Sequence, residues 1–266
     1  MKIATWNIAG IKARLTTLTH WLEQYQPDII CLQEVKSVDE DFPRSIIQSL
    51  GYHIETHGQK SFNGVAILSK QSPDEVLRRL PGDSDDIQAR YIEAVYSTDL
   101  GVLRIASLYL PNGNPVDSDK YPYKLNWMKR LQSHAIDLLK YEEPLVLAGD
   151  YNVISSIKDA KNPQQWVGDA LYLPKTRESF HETMNLGFYD AVNCVSDNAN
   201  YTFWDFQAGA WPKDNGINID HLLLSPEAAD LLLSAKVQRK VRGWEKPSDH
   251  VPVFIELNTH FSKNSQ

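Results

Sequence analysis

The sequence predicts an α/β sandwich of sheets covered by helices, and three observations lead there. Short apolar runs of strand length alternate with amphipathic stretches of helical period along the whole chain. In the middle of the chain the strand-like runs follow one another directly, unlike the βαβ alternation of a doubly wound sheet. Neither glycine-rich phosphate loop of such sheets, GxGxxG or GxxxxGKS/T, occurs. No Gly/Ser/Pro linker, repeat or low-complexity stretch divides the chain. Residues 1–258 are therefore expected to form one domain, with 259–266 as a loose polar tail.

Residues 3–6 form the first expected strand. Leu15, Leu18, Trp21, Leu22 and Tyr25 recur at helical spacing and predict a helix ended by Pro27. Residues 29–32 read as a buried strand. A helix over 42–50 stops at Gly51, the residue type expected just past a helix end. Strands are expected at 65–68, 91–96 and 103–108, then a long helix over 123–140 and a buried strand at 145–148. A helix over 175–184 and strands at 221–224 and 251–257 complete the pattern.

With 266 residues, 42% hydrophobic and 23% charged, the chain is neither disordered nor low in core-forming residues. Two cysteines, Cys31 and Cys194, exclude a disulfide scaffold and a cysteine-bound zinc cluster. No apolar run reaches membrane-span length, and Thr5 and Asn7 interrupt the N-terminal apolar stretch. A cytoplasmic protein without membrane partners is expected. The net charge of −7 weighs against nonspecific nucleic-acid binding through overall charge. A chain that gathers carboxylates around a metal is also acidic.

Polar residues recur where strands end: Asn7, Glu34, Asp150, Asn152, Asp220, Asp249 and His250. Any one of these taken alone is better read as a turn cap, but their number beside rigid strands favours a site. Glu34, Asp150 and Asp249 are hard oxygen donors, suited to Mg²⁺ or Mn²⁺. Such an ion, with a residue that activates water, is what phosphodiester cleavage requires. In an extended chain Asp150 and Asn152 share a face, so one can take a proton while the other donates to a phosphate oxygen. His250 is a phosphate ligand if a carboxylate such as Asp220 keeps it charged. Tyr109 and Asn112 flank a Pro–Asn–Gly turn and offer further donors, although edge packing explains them equally well. The aromatic run Phe203–Trp204–Asp205–Phe206, followed by Trp211, reads as base-stacking surface or as core. Lys12, Arg14 and Lys36, and the run Lys236, Arg239, Lys240, Arg242 and Lys246, read as a phosphate-gripping face or as solvated surface.

Taken together, these segments resemble the exonuclease III family of apurinic/apyrimidinic (AP) endonucleases. The matching pieces, in order, are TWNIAG at 5–10, LQEVK at 32–36, NGVAIL at 63–68 and YLPNG at 109–113. AGDYN at 148–152, FWDF at 203–206, IDH at 219–221 and KPSDH at 246–250 follow. The resemblance implies a four-layer α/β sandwich of the endonuclease/exonuclease/phosphatase type, two facing mixed sheets flanked by helices. It implies Mg²⁺-dependent cleavage of duplex DNA 5′ to abasic sites, with Mn²⁺ able to substitute. It also implies removal of nucleotides or blocking groups from 3′ ends; a monomer is the default expectation. Carried over residue by residue, Glu34 is the principal metal ligand, with Asn7 and Asp249 near the metal. Asp150 activates water, Asn152 positions it, Tyr109 and Asn112 contact the phosphate, and His250 paired with Asp220 polarises it. Lys36, Phe203, Trp204, Ile217 and Ile219 would line the DNA and sugar surface. Ala9 stands where many members carry Asp or Asn, and Ile217 and Asn218 where many carry Trp and Arg. Those departures alter the metal surroundings and the sugar pocket.

A phosphodiesterase of the same superfamily acting on lipid or inositol phosphates shares this chemistry. The aromatic segment and the basic residues near Asp249 speak for DNA instead. A noncatalytic DNA-binding protein on this fold is expected to lose Glu34, Asp150 or His250, and all three are present.

Overall fold

Every residue of the strands Ile29–Gln33, Val65–Ser69 and Leu145–Asp150 is buried, so each is covered on both faces. The computed structural model describes residues 1–196 and 200–262. Along the chain run β1 (Lys2–Asn7), α1 (Leu15–Tyr25), β2 (Ile29–Gln33), α2 (Arg44–Gln48), β3 (His53–His57) and β4 (Val65–Ser69). Next come β5 (Glu75–Arg78), β6 (Tyr91–Thr98), β7 (Gly101–Tyr109), α3 (Lys120–Leu139), β8 (Leu145–Asp150) and α4 (Pro174–Met184). The chain continues through β9 (Tyr189–Asp190), α5 (Ala191–Val195), β10 (Asp220–Leu224), α6 (Pro226–Ala229), β11 (Leu232–Val237) and β12 (Val253–Leu257).

The strands form two six-stranded sheets, ordered β11-β12-β1-β2-β4-β3 and β5-β6-β7-β8-β10-β9. Each sheet carries one parallel pair, β1 with β2 and β7 with β8, among antiparallel neighbours. Alternation along the strands sends side chains to two different cores. Ile3, Ile29, Cys31 and Ile67 meet Ile105, Val146, Ala148 and Leu222 between the sheets. Ala4, Trp6, Ile30 and Leu32 point outward onto Leu18, Trp21 and Leu22 of α1. Ala106, Leu108 and Leu147 point outward onto Trp127, Met128 and Leu131 of α3. The result is the expected four-layer sandwich, helix on sheet on sheet on helix.

The strands absent from the sequence prediction are β3, β5, β9 and β11. These are the four edges of the two sheets. Edge strands carry polar and charged residues on their open sides, which hides the apolar run that marks a buried strand. β5, for instance, has no buried residue. The helix expected over 42–50 is shorter, Arg44–Gln48, because Pro43 sits at φ −74°, ψ 61°, outside helical backbone. The tail expected to be loose is anchored at its start. Thr259 Oγ1 donates to Asp99 at 2.7 Å, and Phe261 bridges Thr98 and packs on Tyr96 at 5.7 Å. An aromatic ring among polar neighbours was enough to dock it. Residues 263–266 of that tail lie outside the described residues. Among the described residues no helix is long and apolar enough to cross a membrane.

This topology gathers strand ends. Asn7 pairs with Gln33 at the end of β1 and β2, and Tyr109 with Asp150 at the end of β7 and β8. Asp220 opens β10 directly opposite Asp150. Across the sandwich β1 lies against β8 and β2 against β7. Both parallel pairs therefore deliver their carboxyl ends to one rim.

Away from that rim, Glu93 is 2% exposed under α3. It accepts from Tyr91 Oη at 2.6 Å and Arg104 Nη1 at 2.7 Å, and His134 Nε2 lies 2.8 Å away. Burial raises its pKa, but the hydrogen bonds from His134, Tyr91 and Arg104 outweigh it and hold the carboxyl below its ordinary value. A carboxylate with a depressed folded pKa stabilises fully above its unfolded pKa of about 4.3. That contribution is lost as pH falls through the folded value. Glu93→Gln should cost about 2 kcal/mol at pH 7, read by urea unfolding. The gap between parent and variant should narrow below pH 4.3; a gap constant with pH would refute the assignment.

Candidate active site

Asn7, at the end of β1, is fully buried and bridges the two sheets. Its Nδ2 donates at 2.9 Å to Glu34 Oε1 and at 2.9 Å to Asp150 Oδ2. Its Oδ1 accepts the Ala9 N–H at 3.0 Å, and its carbonyl accepts from Ser248 Oγ at 2.7 Å. The side chain thus turns its nitrogen toward the acids. Its Oδ1, held by Ala9, lies on the opposite side of the amide.

Glu34 follows β2 in left-handed backbone, φ 49°, which swings its carboxylate back over the strand end. Lys36 Nζ lies 2.8 Å from Glu34 Oε2, so it pairs with the acid. Burial raises the Glu34 pKa, but hydrogen bonds from Asn7 and Lys36 and the charges of Lys36 and His250 bring it below its ordinary value. Glu34 is an anion here.

Asp150 closes β8. The residue before it must be glycine, because a Cβ at Gly149 would come within 1.9 Å of the Leu108 carbonyl oxygen. Asp150 is 1% exposed, and burial raises its pKa. Asp220 and Glu34 push the same way, while His250 and the Asn7 hydrogen bond oppose them. The chain beyond Asp150 is not extended as expected: Asn152 has φ 48° and donates its N–H back to Asp150 Oδ1 at 2.9 Å. The Asn152 amide donates to Leu110 O at 2.8 Å and accepts from Asn112 Nδ2 at 3.3 Å. Tyr109 presents its hydroxyl to Glu34, with the Arg90 guanidinium 4.9 Å from its ring centroid. Burial first, then the charges of Glu34 and Asp150, keep that phenol protonated.

His250 stands opposite. Its Nδ1 donates to Asp220 Oδ2 at 2.8 Å, and its Nε2 lies 3.6 Å from Asp150 Oδ2. Burial lowers the imidazole pKa, but Asp220 and Asp150 outweigh it and hold the ring protonated well above its ordinary value. Thr202 Oγ1 donates to the same Asp220 oxygen at 2.6 Å, while Asp220 Oδ1 is buried without a partner. Thr202 and Ser248 escaped the sequence reading. They hold site residues by hydrogen bonds, and no spacing signal marks a hydroxyl 18 residues from Asp220 or 241 from Asn7.

Other expected site residues divide. Phe203 packs edge-on to His250 at 4.9 Å. Ile217 and Ile219, each 2% exposed, join Ile154, Ala160 and Leu171 in a small apolar cluster under Phe203. Trp204 corrects the expectation that it meets DNA, for it is 0% exposed, stacked edge-on to Trp211 at 5.0 Å and bonded to Asp214 at 3.1 Å. Arg242, read as surface, is 7% exposed and donates to Trp204 O at 3.1 Å. A wide apolar neighbour explains both, since the whole segment is a second small core.

Among the described residues, Glu34, Asp150 and His250 bring ligand atoms within 4.8 Å of one another. Asp249 does not belong to that group, and its carboxylate lies 3.2 Å from Ser248 Oγ. An imidazolium has no free lone pair, so the donors that fit a cation are the oxygens of Glu34 and Asp150. Hard oxygens without thiols fit a small divalent ion. The residues present therefore suit the metal that the sequence implies.

An anionic carboxylate, a buried carboxylate of raised basicity and an imidazolium around one point define a cation-assisted phosphoryl hydrolase on a two-sheet sandwich. The chain belongs to the Endonuclease/Exonuclease/phosphatase family, whose pattern matches residues 4–250. It is 34% identical to exodeoxyribonuclease III of Haemophilus influenzae, over 97% of this chain and 100% of that one. Its fold matches the 3′ phosphatase NExo from Neisseria bound to a product DNA hairpin, with TM-score 0.92 and 35% identity over 97% of this chain and 99% of that one. It matches an AP endonuclease from Archaeoglobus fulgidus with TM-score 0.91 and 32% identity, over 97% and 99%. Within the family the chain groups with metal-dependent nucleases of the exodeoxyribonuclease III type.

The charge of His250 is directly testable. In metal-free protein, ring NMR shifts should report an imidazolium well above pH 6.5, and Asp220→Asn should bring the titration down. A ring already neutral at pH 7.5 in the parent would overturn the pairing described above.

Proposed function

We propose that this protein is a Mg²⁺-dependent DNA repair nuclease that hydrolyses the backbone of duplex DNA 5′ to abasic sites. On the same reading it removes nucleotides or blocking groups from 3′ ends, with Mn²⁺ able to substitute, as a cytoplasmic monomer. The observation that carries this is the junction at Asn7, where Glu34, Asp150 and the Asp220-paired His250 converge within one chain.

The roles follow from the geometry. Glu34 supplies the oxygens that would hold the ion, with Asp249 near it. A bound divalent ion supplies charge neutralisation at the phosphate and at the leaving oxygen. His250 donates from Nε2 to a nonbridging phosphate oxygen, and Asp220 keeps it charged and oriented. Asn112, Asn152 and the Tyr109 hydroxyl give neutral donors to the same phosphate. Asp150, its basicity raised by burial, takes the proton of the attacking water. The water oxygen bonds to phosphorus, the P–O3′ bond breaks, and the leaving oxygen takes a proton from solvent water to become a 3′-hydroxyl. Phe203, backed by the buried Ile217 and Ile219, offers an apolar surface for a sugar that lacks its base, and Lys36 adds positive charge beside Glu34.

The test uses 5′-labelled duplexes carrying one central abasic-site analogue, with Mg²⁺ or with EDTA. A Mg²⁺-dependent cut 5′ to the lesion is expected, with shortening from the 3′ end. No cleavage of either kind would overturn the proposal. Asp150→Asn and Glu34→Gln should each lower kcat by about 10³-fold or more while the protein stays folded. Either variant at parental rate would remove its assigned role.

A further inference from the structure

Lys124, on α3, has no exposed surface. Its Nζ donates to the Asn152 carbonyl at 2.6 Å and to the Asn112 carbonyl at 3.1 Å. Those two residues follow β8 and β7, and their side-chain amides bond to each other at 3.3 Å on the reactive side. The lysine thus grips from behind the backbone of the pair that faces the phosphate. The loop lies directly on its stem: at Gly113, φ 91°, a Cβ would come within 2.7 Å of Lys124 Cδ.

Burying an ammonium group is costly, and both hydrogen-bond partners here are neutral carbonyls. Burial pulls the Lys124 pKa down to about 7, against the opposing charges of Asp150 and Asp169. The grip survives that shift, because a neutral amine keeps two N–H donors for two carbonyls. An apolar side chain of the same length would fill the space without the desolvation cost. What it would not do is fix two loops from different strands in one register. Asn152 needs such fixing, since its backbone is left-handed, φ 48°, a conformation asparagine adopts only at some cost.

We propose that Lys124 is a positioning residue for the reaction, holding the Asn112 and Asn152 amides in the one geometry that meets the phosphate. This rests on the phosphate roles proposed above for those two residues.

The test compares parent, Lys124→Met and Lys124→Arg as full-length proteins on the abasic duplex. The side-chain amide NMR signals of Asn112 and Asn152 are recorded alongside. Lys124→Met removes the donors; kcat should fall about 10- to 100-fold with KM within threefold, and both amide signals should move. Lys124→Arg keeps the charge at a different reach and gives a measurable protein if the methionine variant does not fold. It should move the same signals and lower kcat at least threefold. In whichever variant folds, kcat within twofold of parent, or a loss of kcat with the amide signals unmoved, overturns the assignment. A parent that does not cut DNA overturns the preceding proposal instead, and the amide signals alone then decide this one.

Discussion

The Asn7 amide is the contact on which the site depends. It donates at 2.9 Å to Glu34 on one sheet and at 2.9 Å to Asp150 on the other. Two acids this close, one half-buried and one buried, repel, and that repulsion grows as water is excluded. An amide N–H₂ between them satisfies one oxygen of each without adding charge. It can do so only because its own oxygen is occupied by Ala9 and its carbonyl by Ser248. The imidazolium of His250 supplies the compensating positive charge on the far side of Asp150. Glu34 stays ionised and Asp150 becomes basic, although both are acids in one cluster, because Lys36 attends the first and burial dominates the second. Splitting two like groups in this way is how one site holds an anion and a proton acceptor together.

The backbone at this rim is strained. Ala9, Glu34, Lys36, Asn152 and Lys246 are all left-handed, with φ between 47° and 52°. Such residues cost on the order of 1 kcal/mol each and persist where surrounding structure over-determines them. Here the surroundings are the ends of the fully buried strands β2 and β8. Rigid strands absorb the strain, and the left-handed turns fold the side chains back over the strand ends.

The departures from the family pattern have local explanations. At Ala9 the backbone N–H does the work, holding the Asn7 amide in the orientation the acids need. Asn218 turns away from the site and donates to Asp159 Oδ1 at 3.2 Å. Ile217 sinks into an apolar cluster that Trp166, from the turn at 163–166, packs against. A tryptophan therefore adjoins Ile217 from a different segment.

The buried centre of the fold was legible in the sequence: β1, β2, β4, β6, β7, β8, β10 and β12 all stand out as apolar runs, because most of their residues are buried. Glu34, Asp150, Asp220 and His250 were legible too, as polar residues abutting such runs. The four edge strands were not, since an edge is defined by what fails to pair with it. Nor were the partners of the site residues. Thr202, Ser248 and Lys124 look like ordinary polar residues until the sandwich closes, and Trp204 looks like a DNA contact until its surface is found buried. The sequence by itself determined which residue types stand at the strand ends, because side-chain alternation and strand length are local properties. Only the tertiary structure decided which way the Asn7 amide points, which acid is basic and which lysine is buried. Those depend on distances across two sheets, and electrostatics in a dry junction is set by distance and burial, not by order along the chain.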